Sequence, residues 1–453
     1  MAGRSLVGHT NDLPWAMAGW RGRRHDVGMI DALILACALA VQAPAAAEPD
    51  VASGVRSLVA TSPESALRQV FAVQSDPGPT LWIGRPGEGL IDGAEARWAE
   101  ALLEEADAIC VDMGYAEGEL VERWIHGGEG SLPALLDACA PWSWDRAGAE
   151  RVLRALRERC EREPGRKPRF VGVGVGAAKP AYERAQAFIE ECDFNLAHRS
   201  GVVLGPLRQV GEDGRSRWYK MEPGDRHVMR VAIGEAYEAL AGEKDRLVEQ
   251  HGAKKVELGL QSLVALSNVE RSMSYEFEGG EVDPHGDMLA SMVMWTRSHL
   301  PTTARVLCLV EGREILRASR TDSAVARHAL LEGAGPSTTL LVVSGSSRPL
   351  ADEPTTAGKP RRLELACGPQ SALCADLRAH AGQEALLDLR PLRQPKDGLA
   401  SLAARWTASS EVALATRRMA DASDARIDIL PALDADFVHW VSELPRAAKP
   451  PAK

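Results

Sequence analysis

The sequence is poor in aromatic residues, which make up 5% of its 453 positions, and it contains no long Lys/Arg run. Acidic side chains outnumber basic ones by 63 to 53, a net charge of −10 at pH 7, so the chain lacks the electrostatic footprint that nucleic-acid binding requires. Cysteines stand at 37, 110, 139, 160, 192, 308, 367 and 374, with no CxxC pair and no Cys/His cluster of ligand spacing. That excludes a structural zinc site and reads the cysteines mostly as buried thiols, with Cys110 and Cys308 inside apolar runs. The apolar stretch from Ala32 to Val41 falls short of the ~20 residues a spanning helix needs, so no integral membrane anchor is expected. No GxSxG elbow surrounds Ser344 or Ser346, which leaves a serine-hydrolase triad without support. What remains is 45% hydrophobic and 26% charged, the composition of a globular chain with an ample core.

The amino end carries Arg21, Arg23 and Arg24 ahead of the apolar stretch, then small residues from Ala43 to Ala47 and Glu48, the order of a secretory signal. Asp31 and the polar lead-in from Met1 argue against that reading, so both a cytoplasmic and an exported protein stay open. Short apolar runs then alternate with helical patterns. Strands are expected at Thr80 to Gly84, Ala108 to Val111, Phe170 to Val175, Arg305 to Val310 and Thr339 to Val343. Helices are expected at Ala94 to Ala106, Leu120 to His126, Ala147 to Glu161, Met288 to His299 and Ser323 to Leu331. This alternation predicts an α/β fold, a mostly parallel sheet with helices on both faces. The division read from it is an amino-terminal segment 1–50, α/β parts at 55–223, 281–345 and 362–445, a helical insertion at 224–280 and a loop or linker at 346–361.

In an open parallel sheet the loops leaving the strands at their carboxyl ends converge on one crevice, so three strand ends carry the interest. The first reads Gly84-Arg85-Pro86-Gly87-Glu88-Gly89, a Gly-rich turn without the Lys-Ser/Thr of a phosphate loop. The second is Val111-Asp112-Met113-Gly114, and the third is Val310-Glu311-Gly312-Arg313-Glu314. Gly172, Gly174 and Gly176 alternate after a strand and are read as close backbone packing rather than a dinucleotide site.

The stretch from Met113-Gly114-Tyr115-Ala116-Glu117-Gly118 through Trp124-Ile125-His126-Gly127-Gly128 resembles the erythromycin esterases, which hydrolyse a macrolide lactone. Pro141-Trp142, the strand Arg169 to Gly174, the Met288 to Trp295 helix and the segment Ala432 to Glu443 are similar as well, and the resemblance runs from about residue 70 to 445. The family places a GExxHG-type motif, a Glu and an AHNxH-type motif on its three strand ends. Here Arg85 stands for the first Glu, Glu88 for the first His, Asp112 for the second Glu, and Glu311 and Glu314 for the two later His. Arg97 matches a family arginine, and the family's Arg-Asp pair before the later helix is replaced by His285-Gly286.

In that family, histidine takes the proton of the attacking water while carboxylates orient it. A solvated glutamate, with a pKa of about 4.3, is a much weaker base than an imidazole. The resemblance therefore implies an esterase-like scaffold with lactone hydrolysis lost or severely impaired, a crevice lined by Glu88, Arg97, Asp112, Glu311 and Glu314, and a macrolide- or lactone-like small-molecule ligand. No cofactor or metal is implied. The rival expectation is a rebuilt hydrolase in which Glu88, Asp112, Glu311 and Glu314 gather Mg²⁺ or Ca²⁺ or share a raised pKa; against it stand Arg85, Arg97 and Arg313 as ion-pair partners. His126 is read as a helix-end or packing residue, and His198, His227, His251 and His299 as surface positions. Trp142 and Trp144 are read as packing over the sheet edge, and the sequence leaves the oligomeric state open.

Overall fold

The computed structural model describes residues 51–85, 99–139, 146–208, 220–278, 285–311, 336–344, 366–367, 371–382, 384–395, 399–408, 411–413, 426–428 and 436–441. The amino-terminal segment, the loop at 346–361, the helix expected at 323–331, and Trp142 and Trp144 lie outside these residues.

An α/β architecture is observed. Strands β1 (Thr80–Arg85), β2 (Ala108–Val111), β3 (Arg169–Gly172), β4 (Val306–Glu311) and β5 (Ser337–Ser344) run parallel in the order β3-β2-β4-β1-β5. Beyond β5 the sheet branches. β10 (Phe437–Val441) pairs parallel with β5 and antiparallel with β7 (Glu384–Asp388). The short strands β6 (Ala366–Cys367), β8 (Glu411–Ala413) and β9 (Arg426–Asp428) continue the other branch.

Alternation along the strands divides the core into two layers, as a pleat requires. Trp82, Ala108, Cys110, Val306, Cys308, Leu341 and Val343 face one layer. Leu81, Ile83, Ile109, Val111, Leu307, Leu309 and Val342 face the other. The first layer is covered by α1 (Val51–Leu58), α11 (His285–Ser298), α12 (Ala372–His380) and α13 (Ala400–Ala408) through residues such as Val55, Leu289, Val293, Leu377 and Trp406. The second is covered by α2 (Pro63–Ala72), α3 (Tyr115–Ile125), α4 (Leu132–Ala138) and α5 (Arg146–Arg162), through Phe71, Val121, Leu136 and Leu153 among others.

A third apolar cluster is wholly helical. It joins α6 (Ala178–Cys192), α7 (Phe194–Arg208), α8 (Pro223–Gly242), α9 (Lys244–His251) and α10 (Ala253–Glu278) through Phe188, Ile189, Leu204, Ile233, Leu247 and Leu263. Inside it the buried Glu270 receives Arg230 through both carboxylate oxygens, at 2.9 and 3.0 Å, and Ser274 at 2.7 Å. A carboxylate taken out of water requires such partners.

Several expected bounds shift, two of them for a reason that the backbone shows. The helix expected at Leu120 begins at Tyr115, because Gly118 does not break it: Gly118 lets the helix approach β3 so closely that a Cβ there would collide with the Gly172 backbone. The strand expected to reach Val175 ends at Gly172, although Val173 and Gly174 still donate to Val111 and Met113, each at 2.9 Å. Cys110, Cys139, Cys160 and Cys308 are buried free thiols, whereas Cys374 departs from the thiol reading and is disulfide-bonded.

Candidate functional site

The carboxyl ends of β1, β4 and β2 lie side by side. Arg85 is the register partner of Glu311, and Val111 is that of Leu309. The Asp112 backbone N–H then donates to the Leu309 carbonyl at 2.9 Å, so Asp112 is fixed one residue beyond the end of β2. Of the acidic positions expected in the crevice, Asp112 is the one whose side chain is described. Glu311 is placed by its backbone at the end of β4, and Glu88, Arg97, Arg313 and Glu314 lie outside the described residues.

The Asp112 side chain is 8% exposed, and its Oδ1 lies 3.5 Å from Nε2 of His285, which is 13% exposed. His285 is the first residue of α11, a helix held on the sheet by Met288, Leu289, Met292 and Val293. Asp112 also rests against the glycine run that follows β3. A Cβ at Gly174 would collide with Asp112 Oδ1. The glycines thus serve close approach, as expected, and the occupant of the cleared space is a carboxylate.

A second carboxylate lies along the same run. Glu117, on the first turn of α3, is 5% exposed; its Oε1 accepts from the Ala177 backbone N–H at 2.9 Å, and its buried Oε2 has no hydrogen-bond partner. A Cβ at Gly176 would stand 2.6 Å from that oxygen. Burial outweighs the hydrogen bonds and raises the Glu117 carboxyl above its ordinary range. Burial, reinforced by the Glu117 charge, also pushes the neighbouring Cys139 thiol up to about 12. Tyr115 closes this corner: its ring meets Trp295 edge-on at 5.9 Å, its hydroxyl is buried without a partner, and burial raises the phenol.

Sequence reasoning registered His285 only as a replaced residue and did not pair it with Asp112. Its signal was the substitution itself, a histidine where the resembled family carries Arg-Asp. Of the histidines read as packing or surface positions, His251 is half-buried, and His126, His198, His227 and His299 have the surroundings expected of them. His126 ends α3 with Nε2 2.9 Å from the Pro168 carbonyl, His198 and His227 are exposed, and His299 reaches Glu257 at 3.3 Å. Among the described residues no group of three His, Cys, Asp or Glu could hold a metal ion, and no helix is long and apolar enough to cross a membrane.

Comparison of the whole fold with solved structures gives matches over most of the chain. One is a variant of the erythromycin esterase EreC in its open conformation, with a TM-score of 0.62 at 14% identity over 85% of this chain and 94% of the other. The chain carries an erythromycin-esterase-like fold. A Bacillus cereus protein (TM-score 0.65, 11% identity, 86% of this chain and 96% of the other) and a succinoglycan biosynthesis protein (TM-score 0.60, 11% identity, 87% and 96%) are similar to this chain in fold as well. No family model and no curated protein sequence matches.

Proposed function

We propose that the protein is an erythromycin-esterase-like scaffold in which macrolide lactone hydrolysis is lost or severely impaired, and that its crevice still binds a macrolide- or lactone-like small molecule. The observation that carries this reading is the Arg85–Glu311 register pair at the ends of β1 and β4. These are the positions at which the resembled family presents a glutamate and a histidine. The strand framework is kept while the residue types at the strand ends are changed: an arginine cannot serve as a base, and a glutamate is a weaker base than an imidazole. Asp112, on the neighbouring strand end, keeps the charge of the family glutamate on a shorter arm.

Incubating the purified protein with erythromycin tests the reading. The expected outcome is saturable heat of binding by calorimetry with no ring-opened product by mass spectrometry. Turnover that disappears in Glu88→Ala or Glu311→Ala would overturn the impaired-esterase reading, and the absence of any binding would remove its ligand.

A further inference from the structure

We propose that Asn268 is a ligand-recognition residue of the crevice, whose carboxamide hydrogen-bonds a hydroxyl group of a neutral, hydroxyl-bearing small molecule. The inference rests on the small-molecule part of the reading above and names the ligand chemistry that the site selects. α10 carries Asn268 in its interior, where asparagine is a poor helix former, and buries it to 7% exposure. Buried polar side chains are nearly always hydrogen-bonded. Those around it are: Gln261 donates to the Met292 sulfur, Ser262 to the Gly259 carbonyl and Ser274 to Glu270. Among the described residues the Asn268 carboxamide has no such partner. Unlike the Tyr115 hydroxyl, it is not closed off from solvent. A buried amide left this way costs stability that nothing within the protein returns, and a bound molecule is what would satisfy it.

The placement follows from how α10 lies against α11. Glu257, near the start of α10, meets His299 just past the end of α11 at 3.3 Å, and Gln261, one turn later, meets Met292. The two helices therefore run antiparallel at this contact. Asn268 follows Gln261 on the same stripe by two turns, about 10 Å along the axis, and His285 precedes Met292 by the same number of residues. Asn268 is thereby brought level with His285, at the end of α11 that meets Asp112. Ala265, one turn before it, packs in the layer that holds Tyr115, Val173 and Leu289, so this stripe of α10 faces the sheet rather than the helical cluster. A carboxamide sets a donor beside an acceptor, the pattern that a hydroxyl, donor and acceptor in one group, can answer. It carries no charge, so the group it reads is a neutral one.

The test measures binding to the full-length protein by calorimetry. The probes are erythromycin; octyl glucopyranoside below its micellar concentration, which bears hydroxyls but no lactone; and pentadecanolide, a macrocyclic lactone without hydroxyls. The parent should bind at least one hydroxyl-bearing probe, and Asn268→Leu, close in shape, should weaken that binding by about tenfold, because the hydroxyl is left without its partner. Pentadecanolide should bind the variant no more weakly than the parent. Since the amide has no internal partner to lose, the melting transition of Asn268→Leu should stand at or above the parent's. Asn268→Ala, which favours the helix, is a second variant in which the same loss of binding is expected. A parent that binds neither hydroxyl-bearing probe, variants that bind them as tightly as the parent, or a melting transition lowered in both variants would overturn the proposal. The two readings fail separately. Erythromycin bound equally by parent and variants sinks the role of Asn268 and leaves the macrolide reading, whereas octyl glucopyranoside bound through Asn268 with erythromycin refused does the reverse.

Discussion

Asp112 and Gly174 share one volume: the carboxylate of the first occupies the space a side chain on the second would need. Gly174→Ala must therefore displace either the carboxylate or the backbone after β3. The expected cost is about 1–3 kcal/mol, the range for overpacking a filled site, read as a lowered urea midpoint with an unchanged slope. A midpoint equal to the parent's would mean that the glycine run has slack the geometry does not suggest.

Glu117 predicts a pH effect of definite sign. Its folded pKa is raised above the ordinary 4.5 by burial, so the protonated form is favoured by folding. Its contribution to stability is complete below the carboxyl's unfolded pKa and is lost as pH rises through the raised folded value. Each unit of upward shift corresponds to about 1.4 kcal/mol. Glu117→Gln keeps an acceptor for the Ala177 N–H and cannot ionise. Unfolding of parent and variant, followed from pH about 4 to about 8, should show a difference that widens in favour of the variant as pH rises. Parallel curves would refute the assignment.

Cys110 and Cys308 predict a chemical silence. They are register partners on β2 and β4, both fully buried, and burial together with the adjacent Cys110 sulfur raises the Cys308 thiol well above its usual range. A thiol-disulfide reagent acts on thiolate, so both should stay unlabelled in the native protein at pH about 8 and react once guanidinium unfolds it. Peptide mapping by mass spectrometry checks this, with the half-buried Cys192 as the native-state comparison. Cys308→Ser should destabilise by about 1–3 kcal/mol, because the hydroxyl replaces a small hydrophobe in a dry layer.

The sheet was legible because buried parallel strands are short continuous apolar runs. Ala108–Val111 is found with the bounds that the run Ala-Ile-Cys-Val implies, and Val306–Glu311 is displaced by one residue. Boundaries set by contact with distant backbone were less legible. Gly118 reads as a helix breaker in isolation, and its role appears only once Gly172 lies against it. The site divides in the same way. Asp112 was visible as a carboxylate ending an apolar strand, and the alternating glycines were visible as packing positions. The meeting of Asp112 with His285 joins the end of β2 to the start of a helix far along the chain, and no local spacing encodes it. Glu117 likewise reads as an ordinary acidic residue in a first helical turn, since its burial depends on Gly176 and Ala177 arriving from beyond β3.

The strand order β3-β2-β4-β1-β5 places β4 between two strands that precede it by some two hundred positions. During synthesis β1 and β2 emerge early and wait with their inner edges open until residues 306–311 leave the ribosome. Assembly of the centre is thus a late, non-local event of the slow kind. Nascent chains that stop short of β4 carry two unmatched edges, and those edges make them customers for chaperones rather than independent folding units.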